Sequence, residues 1–135
     1  MMMNTLTQEM LLKASSQWFQ ICTMSDLIED SGVCALLPFI KTDTQNQIAI
    51  FYVNNEVYAT SNWDPVGKAQ VIYRGIIGST NGELYICSPL YKQKYSLKTG
   101  ICLDDNELYI PVYKCKVDQE KIHILIDASN LEVTQ

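Results

Sequence analysis

The chain has 135 residues, 47% of them hydrophobic and 19% charged, with a formal net charge of −5 at pH 7. That is one domain with enough apolar side chain to bury a core, and it is too hydrophobic to be a disordered chain. Ten Lys and Arg against 15 Asp and Glu exclude a phosphate-binding nucleic-acid surface. No apolar run approaches the roughly 20 residues of a membrane span.

The five cysteines, Cys22, Cys34, Cys87, Cys102 and Cys115, form no Cys-x-x-Cys pair, and an odd number cannot all pair within the chain. Met1-Met2-Met3-Asn4 has no basic n-region, and Met10-Leu11-Leu12 is too short for a signal h-region. The sequence therefore predicts a cytoplasmic protein with reduced thiols.

In chain order, residues 1–17 read as a lead-in with a short helical turn over 9–14, residues 18–126 as the domain and 127–135 as a tail. Trp18 to Cys22 reads as the first strand. Ser25 to Asp30 reads as a helical turn, with Glu29 three residues after Asp26, ended by Gly32. Val33 to Phe39 is an apolar run of strand length, and Pro38 marks an edge or the end of pairing. After a polar loop from Lys41 to Gln47, the strands Gln47 to Val53 and Glu56 to Thr60 flank Asn54-Asn55, a two-residue hairpin turn.

The next hairpin organises the chain. Val71-Ile72-Tyr73 and Leu84 to Cys87 carry strand-forming side chains on either side of Ser79-Thr80-Asn81-Gly82, and Asn-Gly tolerates the positive φ such a turn needs. Asn62-Trp63-Asp64-Pro65 precedes the first strand and Ser88-Pro89-Leu90-Tyr91 follows the second. Both loops are predicted to open towards the same end of one sheet. Ile101 to Leu103 is a strand, Asp104-Asp105-Asn106 a turn, Leu108 to Val117 one alternating strand, and Asp118 to Lys121 a turn into Ile122 to Ile126. Many short strands with regular turn signals make an all-β domain, a small antiparallel sandwich or barrel.

Few side chains carry a chemical signal. His123 is the one histidine, on the outer face of an alternating strand with no carboxylate partner in its vicinity. A nucleophile pair of Cys87 with His123 has little support, because a strand cysteine reads as a small core residue. Gly75-x-x-Gly78 lacks the Lys-Ser or Lys-Thr of a phosphate loop and reads as a site of bulging or close backbone approach. Asp64 before Pro65, together with Asn62 and Ser88, reads as a former of turns. Tyr91-Lys92-Gln93-Lys94-Tyr95 is a local positive spot between two aromatic rings, and is read as a candidate docking surface.

Ser88-Pro89-Leu90-Tyr91 and the Leu97-Lys98-Thr99-Gly100 ending resemble the second cluster loop of a Rieske iron–sulfur domain, Cys-Pro-x-His with a downstream Leu-x-Thr-Gly. Asn62-Trp63-Asp64 falls where that family has Cys-x-His. Asn62, Asp64, Ser88 and Tyr91 thus stand at the four ligand positions, and none supplies a thiolate or an imidazole. Gly32 to Leu37, Ile48 to Phe51, Arg74 to Gly78 and Ser88-Pro89-Leu90-Tyr91-Lys92-Gln93 are similar to the small subunit of cytoplasmic NAD(P)H-dependent nitrite reductases, over about Trp18 to Ile126. The resemblance implies a Rieske-like fold with no cluster, no cofactor or metal and no catalytic residue in this chain. It also implies a large-subunit partner that carries FAD, iron–sulfur and sirohaem groups and reduces nitrite to ammonium. Homo-oligomers remain open, as does the alternative of a stand-alone interaction or regulatory module.

Overall fold

The computed structural model describes residues 16–37, 40 and 43–126. β1 (Gln17–Thr23) leads through a 3-10 turn, Met24–Asp26, to β2 (Ser31–Leu36), β3 (Gln47–Val53) and β4 (Glu56–Ser61). β5 (Trp63–Asp64) and β6 (Ala69–Gln70) form a short ribbon, and a second 3-10 turn, Ile72–Arg74, precedes β7 (Ile76–Thr80) and β8 (Glu83–Cys87). β9 (Lys94–Ser96), β10 (Ile101–Cys102), β11 (Asp105–Tyr109), β12 (Val112–Tyr113), β13 (Cys115–Asp118) and β14 (Lys121–Ile126) complete the series. The helical turn predicted over 9–14, the Pro38 edge and the tail from 127 lie outside the described residues.

β3 is the middle of the molecule because it is apolar on both faces. Ile48 and Ile50 turn to one core, with Ala59, Tyr113, Ile124 and Ile126, while Ala49, Phe51 and Val53 turn to another, with Ile72, Ile86, Tyr95 and Leu97. A strand in a sheet covered on both sides has no polar face to offer, and so gives up the usual alternation. Its sheet runs β12-β4-β3-β2, between the three-stranded β1-β14-β13 and the five-stranded β11-β10-β9-β8-β7. Every strand pair is antiparallel, as an all-β chain joined by short turns requires. The turns match their chemistry: Asn54 and Asn55 both have positive φ between β3 and β4, and Asn81 and Gly82 do so between β7 and β8.

Four local expectations are corrected. Gly32 does not end the first turn but lies within β2. The preceding turn is Met24–Asp26 rather than Ser25–Asp30, and its cap is Thr23, whose N–H donates to Asp26 Oδ2 at 2.9 Å. Val71-Ile72-Tyr73 is not a strand, because the Ile72 and Tyr73 amides are taken by Asn62, by its carbonyl at 3.1 Å and its Oδ1 at 2.7 Å. The hairpin strand is instead Ile76–Thr80, entered through Gly75, where a Cβ would stand 2.2 Å from the Cys87 carbonyl oxygen.

Leu108 to Val117 is likewise three strands in three sheets. Pro111 has no N–H to give a continuing ladder, and its carbonyl accepts from Ser61 N at 2.8 Å. The chain therefore changes partner from β10 to β4 and then to β14.

Candidate functional site

The loops at Asn62–Pro65 and Ser88–Tyr91 meet, although β6 and the Ile72–Arg74 turn, rather than one strand, separate the first from β7. Ser88 Oγ donates to Asp64 Oδ2, and both residues are fully buried. The other oxygen, Asp64 Oδ1, accepts from Val66 N and Gly67 N, each at 2.9 Å, and the Asp64 carbonyl accepts from Lys68 N at 2.7 Å. A carboxylate aimed back at its own following amides is the turn-forming habit of Asp. Ser88 Oγ in turn accepts from Leu90 N at 3.2 Å, and the Ser88 amide donates to the Gln93 carbonyl at 2.8 Å. One buried carboxylate and one hydroxyl thereby set the shape of both loops.

Asn62 anchors the first loop to the middle sheet. Its Nδ2 donates to Gln47 Oε1 at 3.1 Å and towards Cys34 Sγ at 3.6 Å, while Oδ1 accepts from Tyr73 N. An amide side chain, with donor and acceptor on one group, suits a fully buried position that must satisfy both. Neither Gln47 nor Cys34 was singled out from sequence, and no local pattern marks them, since they lie 15 and 28 residues from Asn62.

The run from Tyr91 to Tyr95 does not form one face, contrary to the docking surface expected there. Tyr91 is 63% exposed and Lys92 is exposed, but Tyr95 is 0% exposed and sits in the core with Ile86 and Phe51. Lys94 and Gln93 are half-buried, and Lys94 Nζ lies 5.0 Å from the centre of the Tyr85 ring. Burial, then the negative charge of Asp64 and that of Cys102, hold the Tyr95 phenol well above its ordinary value of 10. Its hydroxyl has no hydrogen-bond partner among the described residues.

Nucleophilic chemistry is not assembled. Cys87, on β8, gives its thiol to the Lys92 carbonyl at 3.5 Å, whereas His123 is on β14 in a different sheet. His123 pairs in register with Gln20 and Lys116 and is half-buried, and Lys116 Nζ sits 4.4 Å from the centre of the Trp18 ring.

The sequence matches the family model described as a Rieske-like [2Fe-2S] domain over residues 17–125. It is 39% identical over 104 residues to the NADH nitrite reductase small subunit of Escherichia coli strain K12, covering 76% of this chain and 91% of that protein. The chain belongs to the nitrite reductase small-subunit family. The solution structure of the nitrite reductase [NAD(P)H] small subunit from Erwinia carotovora superposes with a TM-score of 0.67 at 34% identity, over 87% of this chain and 88% of that one. A nitrite reductase [NAD(P)H] large subunit of Klebsiella oxytoca holds a related segment, 33% identical over 110 residues, which is 82% of this chain and 11% of that protein.

The matched domain model describes a [2Fe-2S] domain, and the residues here do not fit such a cluster. A Rieske centre takes two thiolates and two imidazoles. Asn62, Asp64, Ser88 and Tyr91, which the motif resemblance sets against those ligands, offer an amide, a carboxylate, a hydroxyl and a phenol. Asp64 and Ser88 bond directly to each other, and Asn62 spends its polar atoms on the protein. Among the described residues no group of His, Cys, Asp and Glu converges to hold a metal ion.

Proposed function

We propose that this chain acts as the non-catalytic small subunit of a cytoplasmic NAD(P)H-dependent nitrite reductase, pairing with the large subunit that reduces nitrite to ammonium. The observation that carries this reading is the 39% identity sustained across 91% of the E. coli small subunit. The K. oxytoca large subunit supports the pairing. A segment related to this chain is covalently part of that polypeptide, so a separate chain would have to hold the same place by contact alone. No helix among the described residues is long and apolar enough to cross a membrane, which is compatible with a cytoplasmic assembly.

In this reading FAD, iron–sulfur and sirohaem groups belong to the large subunit, and no electron passes through the loops of this chain. The Asp64–Ser88 bond has a structural consequence instead, since it holds two loop tips in fixed relation so that they can be presented together. The test is to purify the large subunit from the same organism and measure NADH- and NADPH-dependent nitrite consumption with and without this chain. Co-elution and a higher or longer-lived rate with the chain present are expected. Elution apart, with rates identical in both cases, would refute the subunit reading and favour a stand-alone module.

A further inference from the structure

We propose that the two loop tips form a single docking knob, an apolar centre of Val66, Leu90 and Tyr91 rimmed by Lys68 and Lys92. It fits an apolar recess edged with carboxylates on the large reductase subunit, and the inference rests on the subunit reading above.

Three observations converge on it. The first is exposure: Val66, Leu90 and Tyr91 are 37%, 44% and 63% exposed, so one loop supplies the first and the other loop supplies the rest. The loops touch here, because a Cβ on Gly67 would fall 2.3 Å from Leu90 Cδ1. Leu90 therefore lies on bare backbone beside Val66, and the apolar atoms make one surface across both loops. Tyr and apolar side chains at the centre of a patch, with charge at its edge, are the anatomy of a protein interface.

Charge is the second. Five of the ten Lys and Arg fall between residues 62 and 100, with only Asp64 and Glu83 of the 15 acidic residues. That stretch carries +3 while the rest of the chain carries −8. Asp64 is fully buried and shows no charge at the surface. Of the five, only Lys68 and Lys92 lie in the two loops, Lys98 sitting beside Asn81 and Gly82 at the other end of the hairpin. Lys68 and Lys92, two exposed cations on an acidic chain, align the tip with an acidic partner before contact.

Backbone conformation is the third. Lys68 and Lys92 have φ of 57° and 67°, the left-handed region in which Gly is comfortable and a Cβ is not. Elsewhere this conformation falls on turn residues: Asp30, the three Asn of the hairpins, and Gln119-Glu120. Each loop of the knob instead places a lysine there. Lys92 Nζ gives one proton to the Pro89 carbonyl at 3.2 Å, which leaves two of its three donors for a partner's carboxylates.

The experiment compares Lys68→Gly/Lys92→Gly and Leu90→Asp with the unaltered chain, in binding to the purified large subunit across 50–300 mM salt. Glycine suits both positive φ angles, so the double variant keeps its fold and its melting temperature. Binding of the double variant weakens about tenfold at low salt, mainly through association rate, with a flatter salt dependence. Leu90→Asp weakens it by about tenfold or more at every salt concentration. Lys114→Ala, on the opposite charge region, leaves binding unchanged. If the unaltered chain binds but both knob variants bind as well as it does, the knob is overturned while the subunit reading stands. If Lys114→Ala matches the lysine double variant, only overall charge is at work and the knob is again overturned. If the unaltered chain does not bind at any salt concentration, the subunit reading fails and takes the knob with it.

Discussion

Replacing Ser88 with Ala removes the one side-chain hydroxyl that bridges the two loops. The lost bond is to a carboxylate, and both partners are fully buried, so water cannot take the hydroxyl's place. Hydrogen bonds to charged groups contribute about 1.5–3 kcal/mol. Leu90 N also loses its acceptor, but Leu90 is exposed and its amide can turn to solvent, which adds little. The expected loss of stability is therefore about 2–3 kcal/mol, read as a lower urea midpoint with an unchanged slope. Trp63, adjacent to Asp64, gives a fluorescence signal for the transition. A cycle with Asp64→Asn separates the bond from general loop damage, with an expected coupling of about 1–2 kcal/mol. A single-variant loss below about 0.5 kcal/mol with no coupling would refute the view that this contact shapes the tips.

Asn62→Ala should cost about 2–4 kcal/mol in urea unfolding, because it strips the Tyr73 amide of its acceptor and Gln47 of its donor in a closed interior. Phe51→Ala opens the second core and should cost about 3–5 kcal/mol by the same assay, the two effects adding if the sites are independent. Burial raises Tyr113 to about 12, and burial followed by Cys22 raises Cys115 to about 12, from ordinary values of 10 and 9. The native state thus holds these protons more tightly than the unfolded chain. The stability they contribute is complete below pH 9 and falls as pH rises from 9 towards 12, measurable as a declining melting temperature. Anaerobic incubation with iron and sulfide should give no visible charge-transfer band, and a Rieske-type spectrum would overturn the donor-set argument.

β3 was legible as a strand from its apolar run, although its central place was not, and the hairpin turns were legible because Asn-Asn and Asn-Gly state their own backbone conformation. The division of Leu108–Val117 was less so. Alternation tells which way a side chain points, but not which of three sheets its strand joins, and Pro111 decides that through a bond to Ser61. Val71–Tyr73 misled for a similar reason, since β-branched residues favour a strand only when their amides are free to pair.

The docking run shows the same limit within five residues. Tyr91 and Tyr95 are chemically alike and four residues apart, yet one is solvent-facing and the other is in the core. The difference is that the chain turns at Lys92 with positive φ before entering β9, so the alternation restarts. Lys68 and Val66 join Lys92 and Leu90 only because Asp64 and Ser88, 24 residues apart, bond in the interior. By itself the sequence determined the two hairpin turns and the all-β class, since these depend on single residues and their neighbours. The surface the two loops present was decided by tertiary contacts, because burial and proximity belong to pairs of residues that are distant along the chain.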